Sequence, residues 1–217
     1  MRKMYDNQLG VLHERLIQMG ALCETAIACA VQALLNDDDA LRSATKDKEQ
    51  EIDLAERDIE QLCVRLLIHQ QPMASDLRQI TAAQKMIIDM ERIGDQAADI
   101  AEISSYMQGS TVKSDVHMTE MARCVSKMVT DSIDAFVSKD FAQAQAVIDE
   151  DDIADALFSK IKTELIDLLL RTNGKLAEDC LDLLMIAKYF ERIGDHATNI
   201  AEWVIYYLTG NYKKQNV

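Results

Sequence analysis

The sequence predicts an all-α protein of six long helices arranged as two tandem three-helix bundles related by an internal repeat, and three observations predict it. One proline and seven glycines punctuate 217 residues otherwise rich in Ala, Leu, Ile, Met, Glu, Asp and Lys, a composition that favours helix over strand. Apolar residues recur at spacings of three and four over long stretches, which gives each helix one face to bury. A twelve-residue motif occurs twice, as ERIGDQAADIAE at 91–102 and ERIGDHATNIAE at 191–202, with nine positions identical at a separation of one hundred residues. Tyr106 and Tyr206 extend the match, whereas the stretches preceding the two motifs resemble each other poorly.

The first helix is expected over residues 5–35, where Leu9, Leu12, Leu16, Met19, Cys23, Ala26, Ala30 and Leu34 supply the apolar stripe, and it ends in the acidic turn Asn36-Asp37-Asp38-Asp39. The second covers 40–70 and stops before Pro72, whose ring disfavours helix at the residue before it. Ser75 is the expected cap of a third helix that continues to 107. Gly109-Ser110-Thr111 breaks the chain, and Ser114 or Asp115 caps a fourth helix to 138. Asp140 caps a fifth, which closes at Asn173-Gly174, a pair suited to the left-handed residue that terminates helices. A sixth covers 176–208, before Gly210 and a polar tail. The domains drawn from this are 1–108 and 115–217, with a linker at 109–114. Long helices with short connections pack as antiparallel neighbours.

Lys and Arg number 23 against 37 Asp and Glu, a net charge of -14. That balance repels nucleic acid and anionic lipid, and it disfavours capture of a free anion unless bound cations invert the local sign. Cys23, Cys29, Cys63, Cys124 and Cys180 are scattered, with no Cys-x-x-Cys pair, and read as reduced, buried thiols of a cytosolic protein. No apolar segment follows the short basic start and no uncharged run of about 18 residues occurs, so neither signal peptide nor membrane span is expected.

The motif places its acids on one ridge. At about 100° per residue, Glu91, Asp95, Asp99 and Glu102 share a narrow stripe, with Ile93, Ala97 and Ile100 opposite; Glu191, Asp195, Asn199 and Glu202 repeat the pattern. Like charges four apart destabilise a helix by about 0.2–0.5 kcal/mol per pair. Gly94 and Gly194, in mid-helix, each cost about 1 kcal/mol against alanine. Bound hard cations would offset the first term, and the absent side chain would let a neighbouring helix or a metal approach. Each preceding helix offers a partner stripe, Glu49 with Asp53 and Asp151 with Asp155. The donors are carboxylate oxygens, with His196 the one nitrogen at hand, which suits Mg, Mn, Fe or Ca better than a structural tetrahedral zinc. The competing reading is a solvated acidic face in which Arg92 and Arg192 pair with the acids three residues on. Met86, Met90 and Met185 read as core; His13, His69 and His117 read as surface or capping residues. No phosphate-binding glycine loop, nucleophile elbow or paired Glu-x-x-His elements are present, so no catalytic residue is expected.

The doubled ERIGD-(H/Q)-A-x-x-I-A-E, together with QQPMASDLRQI at 70–80, resembles the PhoU family of phosphate-uptake regulators over essentially the whole chain; the second half carries RTNGKLAEDCL in place of the 70–80 turn. The resemblance implies a cytoplasmic, often dimeric regulator that is not an enzyme. It implies repression of phosphate uptake and phosphate-starvation signalling, through links to the phosphate transporter ATPase subunit and a sensor histidine kinase, with membrane association only through these partners. It also implies metal ligation by an acid, three residues, then Asp. That pattern falls on Glu91 and Asp95 and on Glu191 and Asp195, while Glu49, Asp53, Asp151 and Asp155 match less tightly. Fe, Mn, Zn or Mg are the metals implied. Two alternatives stay open: a carboxylate-bridged metal storage or oxidase bundle, and a metal-independent interaction module for another transporter.

Overall fold

A computed structural model of the chain describes residues 2–69, 73–110, 112 and 116–211. Among the described residues there are six α-helices and no strand: α1 Arg2–Asn36, α2 Asp39–His69, α3 Ala74–Tyr106, α4 Met118–Ser138, α5 Phe141–Arg171 and α6 Ala177–Thr209. Local chemistry sets most of the ends. Asp38 Oδ1 accepts from the backbone N–H groups of Ala40 and Leu41 at 2.8 and 3.2 Å, opening α2, and Asp140 Oδ1 does the same for α5 with Ala142 and Gln143. Each satisfies helix donors that have no intrahelical partner. After α5, Asn173 and Gly174 both take positive φ, and Gly210, at φ 80°, donates its N–H to Tyr206 O and closes α6.

Two expected caps are corrected. Met73, not Ser75, is the residue before α3, and Asp76 Oδ2 accepts from its backbone N–H at 3.2 Å. A carboxylate reaching back from the third helical position holds that end, so Ser75 falls inside the first turn. Helix α4 starts at Met118 with His117 before it; Ser114 and Asp115, like Thr111 and the Gln70-Gln71-Pro72 turn, lie outside the described residues.

The duplication extends beyond the motif once burial is compared. In α1, Leu16, Met19, Cys23, Ile27 and Leu34 are buried, and so are Met118, Met121, Val125, Val129 and Phe136 of α4, each 102 positions later. The buried heptad Thr45, Ile52, Ile59 and Leu66 of α2 recurs at the same offset as Val147, Ala154, Ile161 and Leu168 of α5. In α3 and α6 the offset is 100: Met86, Met90, Ile93 and Ala97 correspond to Ile186, Phe190, Ile193 and Ala197, all buried. A core tolerates extensive exchange of its residues when the overall patterning is kept, so the pattern of buried positions persists where the letters differ.

Helices α1, α2 and α3 pack against one another, as do α4, α5 and α6; α3 also packs on α6, and α1 on α4, so the buried residues of both halves form one continuous core. Helix α1, between Asn7 and Asn36, is long and apolar enough to cross a membrane by length and composition. One of its faces is packed against protein, with Leu12, Leu16, Met19, Cys23 and Leu34 all buried in the core, while Val11 and Leu35 are exposed. Met86 and Met90 are buried as expected, but Met185 is 46% exposed. Cys23, Cys63 and Cys180 are buried; Cys29 and Cys124 are half-buried, and all five are free thiols. His13 stacks on Phe136 at 5.0 Å, and His117 Nδ1 lies 2.5 Å from Glu164; the side chain of His69 lies outside the described residues.

Candidate metal centre

The two ridges of the first half meet where α2 crosses α3. Ile93, Ala97 and Ile100 are fully buried, which fixes the rotation of α3 and turns Asp95 toward α2. There, ligand oxygens of Glu49, Asp53 and Asp95 all lie within 4.8 Å of one another. Oxygens on opposite sides of a hard cation with 2.3–2.6 Å bonds are separated by about 5 Å, so the spacing is compatible with one ion shared among the three. Among the described residues this is the one group of three His, Cys, Asp or Glu residues that converges so closely. All three are half-buried. The donor set is oxygen only, which fits a hard divalent cation.

Electrostatics report the same crowding. Burial pushes the Glu49 carboxyl above its ordinary range, the charges of Asp53 and Asp95 push it further, and Lys46 pulls it back. Burial likewise raises Glu91, with Asp95 adding to the effect and Arg92 opposing it. Glu91 stands beside the triad rather than in it. Arg92 bridges Glu91 at 3.3 Å and Asp95 at 2.8 Å, the surface pairing anticipated as the competing reading. A cleft of ≈ 640 Å³ opens beside the triad, lined by Glu49, Asp95, Asp99 and Glu102 and by the cationic Arg42 and Lys46.

In the second half the acids are near neighbours without the same convergence. Burial raises Asp151, then the charge of Asp155 raises it further; burial raises Asp195, followed by Glu191 and Asp151. Lys188 pairs with Glu191. Asp151, Asp195, His196 and Asn199 line a second cleft of ≈ 490 Å³.

The ninth motif position has a different use. Asn199 Nδ2 donates to Asp89 Oδ1 on α3 at 3.1 Å, and His196 Nδ1 lies 2.9 Å from the same oxygen. The crossed contact is Asp99 on α3 accepting from the Tyr189 hydroxyl on α6, which partly offsets the rise that burial imposes on Asp99. Asp89 and Tyr189 stand one hundred positions apart, as do Asp99 and Asn199, so the antiparallel α3–α6 seam is stitched twice by equivalent positions. Asp89 and Tyr189 escaped the sequence reading because they precede the motif, where the halves do not match.

The motif glycines serve helix approach. A Cβ on Gly94 would come within 3.0 Å of Ile52 Cδ1, whereas one on Gly194 would meet only ordinary contacts of 3.6 Å or more, to Val125, Ala154 and Met128. Ile52 and Ala154 are equivalent positions, so the smaller residue on α5 leaves room. Gly194→Ala is expected to stabilise the fold by about 1 kcal/mol through helix propensity, and Gly94→Ala to gain little or nothing because buried Ile52 must move. Urea unfolding of the two variants measures the difference; equal gains would remove the packing argument.

Five carboxyls of these ridges, on Glu49, Glu91, Asp99, Asp151 and Asp195, are raised by burial. A raised carboxyl binds its proton more tightly in the folded state than in the unfolded chain. Its contribution to stability is therefore present in full below the ordinary carboxylate range and is lost as pH rises through the raised value. The metal-free protein is expected to melt at higher temperature as pH is lowered from neutral toward that range, and saturating Mn²⁺ to flatten the trend. A metal-free protein whose melting point falls steadily over the same interval would show that the ridges are not strained.

A family model described as the PhoU domain matches residues 16–104 and again 118–204. The chain is 35% identical over 211 residues to a phosphate-specific transport system accessory protein PhoU homolog of Clostridium acetobutylicum, covering 96% of both chains. It is 34% identical to the corresponding homolog of Pseudomonas aeruginosa, covering 96% of this chain and 86% of that one. The crystal structure of PhoU from Pseudomonas aeruginosa superposes with a TM-score of 0.89 at 33% identity, covering 95% of this chain and 100% of the other. The phosphate transport system regulatory protein PhoU from Streptococcus pneumoniae also gives 0.89, at 25% identity, covering 97% and 99%.

Proposed function

The chain belongs to the PhoU family, and on that footing we propose that it is a non-enzymatic accessory protein of phosphate uptake that holds divalent cations in its carboxylate grooves and acts as a cytoplasmic adaptor. In this reading it represses phosphate uptake and phosphate-starvation signalling by linking the transporter's ATPase subunit to a sensor histidine kinase, as a homodimer whose repeats, 1–108 and 115–217, flank the 109–114 connection. The observation that carries the metal part is the convergence of Glu49, Asp53 and Asp95. These three would hold the ion in the first half, with Glu91 beside them; Asp151, Asp155, Glu191 and Asp195 are the counterparts in the second. Mg, Mn, Fe or Zn bound there would neutralise the mutual repulsion of the acids and stiffen the α2–α3 and α5–α6 pairs. The adaptor part is supported by the names of the relatives, which are accessory proteins of phosphate-specific transport systems.

Elemental analysis of the purified protein, followed by equilibrium dialysis of the chelated protein against Mn²⁺, tests the first part: bound metal that falls in Asp53→Asn/Asp95→Asn and disappears when Asp151→Asn/Asp195→Asn is added supports it, and an ion-free protein that takes up none on dialysis sinks it. Affinity capture on the immobilised transporter ATPase subunit tests the second. Retention of wild-type protein supports the adaptor role, and absence of retention with and without Mn²⁺ refutes it.

A further inference from the structure

The second half carries an apolar groove where the first half carries polar residues. Between the start of α5 and the end of α6 lies a cavity of ≈ 560 Å³ lined by Phe141, Ile148 and Ile205 together with Gln145, Glu202 and Thr209. By the repeat offsets of 102 and 100, its three apolar residues correspond to Asp39, Lys46 and Ser105. The first half crosses the equivalent place with a polar strap. Arg42 of α2 donates to Ser104 Oγ and O on α3 at 3.0 and 3.2 Å, and Asp39 pairs with Arg42 and accepts from Gln108. The second half has buried Ala144 and Val204 at the positions of Arg42 and Ser104, whose side chains cannot form such a bond. Phe141 is left 48% exposed beside two half-buried isoleucines, an arrangement that marks a surface to be covered. Charge indicates what covers it. Glu202 lines both this groove and the cleft of Asp151 and Asp195, so the apolar wall runs on into carboxylates. The one Lys or Arg lining that cleft is Arg192, whose charge also acts on Asp99 across the seam. On the groove side, Asp149 accepts from Gln145 at 3.0 Å and adds another acid.

We propose that this groove docks a basic amphipathic segment of a partner protein: a bulky apolar side chain fills the space between Phe141, Ile148 and Ile205, and a Lys or Arg within a helical turn of it meets the carboxylates of Asp151 and Asp195. The proposal rests on the adaptor reading above and assigns that role a surface and a partner chemistry. The apolar contact anchors the segment, while the acids orient it and speed its encounter with a chain of net charge -14. The first half, polar at all three equivalent positions, offers the same segment no apolar seat.

The test is fluorescence anisotropy of the full-length protein in chelator, which keeps divalent cations off the acids. The probes are overlapping synthetic peptides covering the transporter ATPase subunit and the sensor kinase. Peptides that bind should carry a bulky apolar residue within a turn of Lys or Arg. Phe141→Asp installs the first-half residue in a first helical turn, where an acid is favourable, and should weaken them about tenfold or more, the loss of one large apolar contact. Asp151→Asn/Asp195→Asn should weaken them and flatten their dependence on salt. Melting establishes that each variant is folded. Peptides that bind Phe141→Asp as well as wild type, or that bind without a basic residue, overturn the proposal. So does tighter binding once residues 212–217 are removed, which would give the groove to the chain's own Tyr212, Lys213 and Lys214, and so does a dimer that Phe141→Asp dissociates, which would give it to a second copy. Retention of wild type by the immobilised ATPase subunit with no binding peptide overturns the proposal and leaves the adaptor reading intact; neither retention nor a binding peptide overturns both.

Discussion

Replacing Phe190 by alanine lowers the stability of this protein by about 3–5 kcal/mol, the range for removing a buried aromatic ring. Phe190 is among the largest fully buried side chains and sits on α6, the helix that packs on α3, α4 and α5 at once. Truncation loses the transfer free energy of the ring and leaves a cavity whose walls belong to long helices that cannot close on it independently. Its neighbour in sequence is Glu191, so a shifted α6 also misplaces the second-half acids. Chemical denaturation gives the first effect and Mn²⁺ titration the second. A loss below about 1 kcal/mol would mean that the site collapses and that the α3–α6 seam is softer than described.

Saturation with a divalent cation is the second large effect. Ligand at a hundred times its dissociation constant stabilises the native state by about 2.7 kcal/mol for one site, which for a chain of this length raises the melting temperature by about 5–10 °C. Asp95→Asn should abolish the first-half share of that shift. In the metal-free state the same substitution relieves repulsion from Glu49 and Asp53 but loses the exposed pair with Arg92, terms of a few tenths of a kcal/mol that offset each other. The signature is therefore a variant equal to wild type in chelator and below it in metal. A wild-type protein whose melting point ignores Mn²⁺ would reduce the triad to a solvated acidic face.

How much was legible in advance differs by element. The six helices, the cap at Asp140 and the stop at Asn173-Gly174 follow from local chemistry, and the structure has them. The common stripe of Glu91, Asp95 and Asp99 was legible as angles about one axis. It failed to separate their fates: Asp95 meets α2, Glu91 stands beside that contact, and Asp99 belongs to the α3–α6 seam. Asn199 and His196 likewise read as possible ligands and are tied to Asp89. Met185 read as core, as methionines in such helices usually are, yet it is 46% exposed. Glycine in the motif suggested close approach, and only Ile52 and Ala154 show that the approach is tight in one half and loose in the other.

The sequence by itself determined the all-helical class, the duplication and the presence of two acidic ridges per half, because periodicity along one chain defines each helix's faces about its own axis. Only the tertiary structure decided which ridge meets which, that three first-half carboxylates converge, and that Lys188 of α6 reaches the Phe158 ring on α5. Those outcomes depend on how helices distant in sequence are rotated and crossed against each other, and that rotation is set by the summed fit of a core to which both halves contribute.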